Sequence, residues 1–220
     1  MESITGYTIK NKKHLGHWNA LMEEWMLCIE RYCRLSNGDA PYWYTERANV
    51  GLLAGAAWRC GWVALEEFQS EKIDVSTDET TSKTNAAPKT TWNGRCDLWM
   101  ASEKSAEVVE AKFTWLNLLS KQLPELAGAC LELALQDAAN TQAGTDVKAV
   151  GVAFLPIYAK ADQIGDETAL TTLLHETLPH LETLPADLVA WSFPKRLRAH
   201  VGEQYNNYLP GVLLLAEVVR

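Results

Sequence analysis

The chain has 220 residues, 47% of them hydrophobic and 22% charged, with a formal net charge of −8. That length suffices for one well-buried domain, or one domain with an appended helical piece, and the composition excludes extended disorder. The acidic balance weighs against general affinity for nucleic acid, which comes from Lys and Arg, but leaves room for a local basic surface.

The opening residues, Met1 to Gly6, lack a basic stretch followed by an apolar one, so they do not read as a secretory signal. The longest uncharged apolar run, 209–216, is too short to cross a bilayer, so no membrane partner is expected. Cys28, Cys33, Cys60, Cys96 and Cys130 are odd in number and sit in apolar segments. They read as reduced core residues of a cytoplasmic protein. No Cys or His spacing suggests zinc.

Residues 17–35 place Trp18, Leu21, Met22, Trp25, Ile29 and Tyr32 at helical spacing, an amphipathic helix followed by a turn at 36–41. A longer helix is expected from Thr45, a plausible N-cap, through Phe68, with Val50, Leu53, Ala54, Ala57, Gly61, Ala64 and Leu65 facing inward. Gly51, Gly55 and Gly61 weaken it and suggest close packing against its face. Residues 76–91 are polar and almost free of large apolar side chains, the pattern of a mobile loop. Strands are expected at 95–100 and 106–113, helix over much of 115–140 with a restart near Pro124, a buried strand at 147–158, a helix at 168–181, and strands at 188–193 and 211–219. The sum is one α/β domain: a helical extension at 1–43, a core at 44–158 and an elaboration at 159–220.

The chemistry concentrates at 94–113. Successive side chains of a strand point to opposite faces, so Val109, Ala111 and Phe113 turn to a core while Glu110 and Lys112 emerge together on the other side. If the two strands pair as a hairpin, Asp97 reaches the same place. Two carboxylates then offer hard oxygen ligands for Mg²⁺, with a cation beside them. A second Glu-x-Lys-like tripeptide, Asp146-Val147-Lys148, precedes its strand and has no acid-bearing strand ahead of it. The bland alternative for the first is an ion-pair ladder on a solvated sheet face.

With an aspartate on one strand and Glu-x-Lys on the next, followed by a helix, residues 44–158 resemble the PD-(D/E)XK nuclease superfamily. The resemblance implies a restriction-endonuclease-like core of helix, three-stranded meander, helix and strand. It implies Asp97, Glu110 and Lys112 as catalytic residues, and Mg²⁺, replaceable by Mn²⁺, held by Asp97 and Glu110. Cys96 stands where many members have proline. Tyr44-Thr45-Glu46-Arg47 looks like the glutamate-bearing helix start of the archaeal Holliday junction resolvases, which adds Glu46 as a third metal ligand. On one continuous helix Glu66 points away and Glu67 lies about 30 Å from Glu46, so only one of Glu46 and Glu67 belongs to the site, and Glu46 is the choice.

Two basic clusters are candidates for phosphate contact: Lys10, Lys12 and Lys13, and Lys195, Arg196 and Arg198. Nine tryptophans are present; Trp18, Trp25 and Trp58 read as core, while Trp92, Trp99 and Trp115 bracket the motif where they could stack on bases. Gln122 resembles a glutamine of some family members but reads as exposed. The expected function is a Mg²⁺-dependent nuclease acting on DNA rather than RNA, with a homodimer compatible. The alternatives are a noncatalytic binding or regulatory module on the same fold, and an acidic partner in protein interactions.

Overall fold

In the computed structural model, which describes residues 2–73, 91–141, 146–202 and 205–220, the chain opens with strand β1 (Ile4–Ile9) and a short helix α1 (Lys12–Leu15). Asn11 caps α1 by accepting from the His14 amide. Helix α2 (Asn19–Leu35) buries Leu21, Met22, Trp25, Ile29 and Cys33, spaced along one face. Tyr32 faces solvent instead, its hydroxyl donating to Asp39 at 2.9 Å. Helix α3 (Glu46–Arg59) begins where expected and buries Val50, Leu53, Ala54 and Ala57.

That helix does not continue to Phe68. Gly61 takes φ +78°, a left-handed conformation that ends a helix without steric cost. Residues Val63–Ile73 then form strand β2. It pairs antiparallel with β3 (Thr91–Ala101), which pairs antiparallel with β4 (Ala106–Phe113). The short strand β5 (Leu116–Asn117) follows, then helix α4 (Leu123–Asn140), whose Pro124 sits in its first turn where no hydrogen bond is lost. Helix α4 crosses over to β6 (Val147–Lys160), parallel to β4. After α5 (Ala161–Ile164) and α6 (Glu167–Leu181) come β7 (Leu188–Phe193), β8 (Val201–Gly202) and β9 (Asn207–Val218). The mobile loop expected at 76–91 lies, except for Thr91, outside the described residues.

The strands form one mixed sheet in the order β1-β7-β9-β6-β4-β3-β2, with β5 on β6 and β8 on β9. The first strand, absent from the sequence expectation, joins the same sheet through β7, so the N-terminal extension is not purely helical. Helices α2 and α3 cover one face, where Trp18, Trp25 and Leu53 pack on Leu98, Val109, Ala111 and Phe154. On the other face α4 and α6 pack Ala127, Leu131, Leu170 and Leu174 over Ala153, Leu155 and Leu213. The class is α/β with helices on both faces of the sheet.

Gly151 on β6 is the register partner of Glu110. A Cβ there would come within 2.7 Å of the Leu135 backbone nitrogen, so α4 approaches the sheet over this glycine as it could over no other residue. The C-terminal turns of α4 are thereby lowered onto the second half of β4.

Candidate functional site

Pairing between β3 and β4 runs from Ala101↔Ala106 to Leu98↔Val109 and stops there. At the next residue Asp97 takes over: its carboxylate oxygen accepts the Ala111 amide at 2.7 Å, standing in for the backbone acceptor that the ladder no longer supplies. The strands part at Asp97, and Glu110 and Lys112 lie just beyond. Both project on the α4 side of β4, opposite to Val109 and Ala111, as strand alternation requires.

Glu110 is 3% exposed. One of its oxygens accepts the Lys72 ammonium at 2.6 Å and the Thr141 hydroxyl at 2.7 Å. Burial pushes its pKa up; Lys72 and Thr141 pull against that, and Asp97 adds to the rise. Lys72 reaches over from β2 because Gly94 on β3 has no side chain: a Cβ there would lie 2.7 Å from the Lys72 Cγ.

The Lys112 ammonium donates to the Asp137 carboxylate of α4 and to the Ala111 carbonyl at 3.2 Å. Its pKa is raised: partial burial acts to lower it, but Asp137, Glu46 and Asp97 outweigh that. Glu46, at the start of α3, has its carboxyl pushed up by burial and then by Asp97, with Asp137 and Glu110 adding and Lys112 opposing. Side chains from α3, β3, β4 and α4 thus share one electrostatic environment.

The break after Arg59 corrects the placement of Glu66 and Glu67. They lie on β2, not on a helix continuous with Glu46, so their separation along a helix axis does not arise. A small pocket of about 30 Å³ is lined by Glu46, Glu66, Glu67 and Asp97, together with Arg47 and Val50. Glu66 is exposed, as expected, though for a different reason. Glu67 adopts φ +52°, a left-handed conformation costing about 1–3 kcal/mol in a non-glycine residue. Its carboxylate meets Arg95 at 2.8 Å and Arg47 at 3.4 Å. Sequence reasoning missed Lys72, Asp137 and Thr141. Gly151 was the available signal that α4 comes this close.

The basic clusters are not equal. Arg198 is fully buried and donates to the Glu2 carbonyl at 3.0 Å, so it offers nothing to a phosphate in solvent; Lys195 and Arg196 are exposed on the same turn. Lys12 and Lys13 are exposed, while Lys10 donates to the Leu184 carbonyl. Trp18 and Trp25 are core residues, but Trp58 is 58% exposed, against expectation. Gln122 is exposed before α4. Lys148 of the rival tripeptide donates to the His14 carbonyl at 2.8 Å, away from the acids.

The donor chemistry suits a hard cation such as Mg²⁺: carboxylate oxygens, two of the carboxyls raised by burial with Asp97 adding to both. Among the described residues no three His, Cys, Asp or Glu side chains converge closely enough to hold a metal ion as they stand. Glu110 in particular is engaged by Lys72. Comparison with models of protein families, with curated proteins and with solved structures finds no match to this chain. Among the described residues, no helix is long and apolar enough to cross a membrane.

Proposed function

We propose that this protein is a Mg²⁺-dependent nuclease of restriction-endonuclease-like fold, hydrolysing phosphodiester bonds in DNA rather than RNA. The observation that carries the reading is the place where β3 and β4 part: Asp97 caps the Ala111 amide between Glu110 and Lys112 in the chain, and Glu46, from a distant segment, acts electrostatically with Asp97 and Lys112. The element order α3, β2, β3, β4, α4, β6, with β6 parallel to β4, supports it.

Asp97, Glu110 and Glu46 would hold the cation, with Mn²⁺ able to replace Mg²⁺. Bound there, the metal supplies charge to the scissile phosphate and lowers the pKa of a water. Lys112 stays protonated, because the carboxylates around it raise its pKa. Its role is therefore to stabilise negative charge developing on the phosphate oxygens, not to act as the base. Asp137 positions that ammonium through its ion pair. Incubating linear, circular and structured DNA and RNA with Mg²⁺ or Mn²⁺ tests the reading. Cleavage is expected from the wild type, and equal background from wild type and Asp97→Ala refutes it.

The Lys72–Glu110 contact favours a second reading, a noncatalytic module in which an internal ammonium permanently neutralises Glu110. Lys72→Met separates the two. In a nuclease the variant melts higher when Mg²⁺ is added, by at least as much as the wild type. In a noncatalytic module it melts lower than wild type and Mg²⁺ restores nothing.

A further inference from the structure

A cleft of about 490 Å³ is walled by Trp43, Trp115, Tyr158, Tyr205, Asn207 and Leu209. We infer that it binds an unpaired nucleobase of the substrate strand, so that the substrate class is single-stranded or splayed nucleic acid. This inference rests on the nuclease reading.

Both tryptophans are tied to the candidate catalytic residues. Trp43 precedes Glu46 by three residues and Trp115 follows Lys112 by three. Three residues span at most about 10–11 Å, so a strand whose phosphate lies among Asp97, Glu110 and Lys112 brings a neighbouring base to the cleft. Neither ring is loose. Trp115 is held edge-on by Phe113, the last residue of β4, at 6.2 Å between centroids and 89° between planes. Trp43 lies against His200 at 4.7 Å. Aromatic faces fixed in advance stack on bases with little loss of conformational entropy.

The cleft also has polar groups that an apolar ligand would leave unused. Tyr158 and Tyr205 bring hydroxyls to its wall and Asn207 a side-chain amide, which together offer donors and acceptors. A nucleobase edge presents both donors and acceptors, so it can engage these groups, whereas a hydrocarbon surface leaves them unused. The volume falls within the roughly 300–1,000 Å³ of small-molecule clefts. The turn that brings His200 onto Trp43 also exposes Lys195 and Arg196, the charge a backbone phosphate needs. A paired duplex keeps its bases stacked on one another, so only an unstacked base can enter.

The test is fluorescence anisotropy of a labelled short oligodeoxythymidylate and of a duplex of equal length, in EDTA so that binding is read without cleavage. The wild type is expected to prefer the single strand. Trp115→Ala should weaken single-strand binding by about tenfold to a hundredfold, the range for loss of one base–aromatic stack, and leave duplex binding within about twofold. Trp115→Phe keeps a stacking face and should recover most of the loss, which separates stacking from misfolding. Single-strand binding unchanged in both Trp115→Ala and Tyr158→Ala overturns the inference, as does a wild-type preference for duplex, whether or not the protein cleaves. Failure of the nuclease reading has a different signature: no cleavage in Mg²⁺ while Trp115-dependent binding of the oligonucleotide persists.

Discussion

At the end of the sheet covered by α1, each buried carboxylate has a histidine of its own. Glu107, near the start of β4 and fully buried, meets His17 Nε2 at 2.6 Å, and His17 in turn stacks on Trp62. Asp187, just before β7, meets His14 at 2.8 Å and also accepts from Asn11 and the Val218 amide. Along the second half of β4 the pattern reverses. Burial raises the carboxyls of Glu46 and Glu110, with Asp97 adding to both and Lys72 and Thr141 failing to hold Glu110 down, whereas Asp187 is lowered despite its burial. Asp187 has several partners, and Glu107 places one oxygen on His17 while its other finds none among the described residues. Glu46 and Glu110 stay raised even with Lys72 on Glu110, so their ionised forms are held at a cost in stability that a bound cation would relieve.

Breaking the crowded set should have the largest effect on activity, with a loss of stability as well in Glu110→Gln, which leaves the buried Lys72 ammonium without its carboxylate. Asp97→Ala, Glu110→Gln and Lys112→Ala are each expected to lower Mg²⁺-dependent cleavage by about 10³-fold, since a metal site supplies several kcal/mol of transition-state stabilisation. Circular dichroism checks that the variants remain folded. Retention of cleavage within about tenfold in the Asp97 and Lys112 variants would remove the distinction between the two sets.

The paired set should behave conversely, with stability lost and cleavage kept. His17→Ala leaves Glu107 buried without its partner, a change that costs about 3–5 kcal/mol. For a chain of this size that lowers Tm by about 6–20 °C. Calorimetry of His17→Ala alongside Glu107→Gln sharpens the point: the second variant removes the charge itself and should lose less. Equal losses would mean that the ion pair is not what matters there.

The contrast was only half legible in the sequence. Alternation alone put Glu110 and Lys112 on one face, because β4 buries its other face as a run of Val109, Ala111 and Phe113. Asp97 was legible for the same reason. Strand β2 was not. It lies at the sheet edge, its residues from Val63 to Gln69 include exposed side chains on both faces, and Ala64, Leu65 and Phe68 happen to continue the helical spacing of α3. Only Gly61 marked the break, and a glycine between two apolar stretches reads equally well as a helix interior. Glu66, Glu67 and Lys72 were lost with that strand. Asp137 and Thr141 depend on how closely α4 approaches β6, a distance that Gly151 permits, though a glycine in a strand does not name the helix that packs over it. Strand β1 escaped because Gly6 interrupts its alternation; there a Cβ would meet Trp191 at 2.5 Å.

Neutralising one crowded carboxylate should raise stability in the absence of metal. Glu46 has its folded pKa above the ordinary 4.5, through burial and then repulsion from Asp97. The penalty is absent below the unfolded value, where the group is protonated in both states, and complete above the folded value. In EDTA, Glu46→Gln should therefore melt higher than wild type near pH 7, and the gap should close as pH falls toward 4. Adding Mg²⁺ should raise the wild-type Tm more than that of the variant. A variant that melts lower at neutral pH would place Glu46 with the satisfied carboxylates.

Asp187 gives the smallest effect and the opposite sign. Burial alone would raise its pKa, but His14, the Val218 amide and Asn11 overcome that and hold it below the ordinary 3.8. A lowered folded pKa contributes stability that is present above the unfolded value and lost as pH falls through the folded one. Asp187→Asn should thus cost stability from about pH 5 to 7, and its melting curve should converge on the wild type only below about pH 3.8. Arg220, at 3.3 Å from the other carboxylate oxygen, adds a partner that is 67% exposed, so salt should weaken that component first. Tm measured against pH at low and moderate ionic strength separates the contributions: the pH-dependent gap persists in salt if the buried hydrogen bonds hold Asp187, and disappears if the surface arginine does. A gap that widened with acid would reverse the assignment and place Asp187 among the crowded carboxylates.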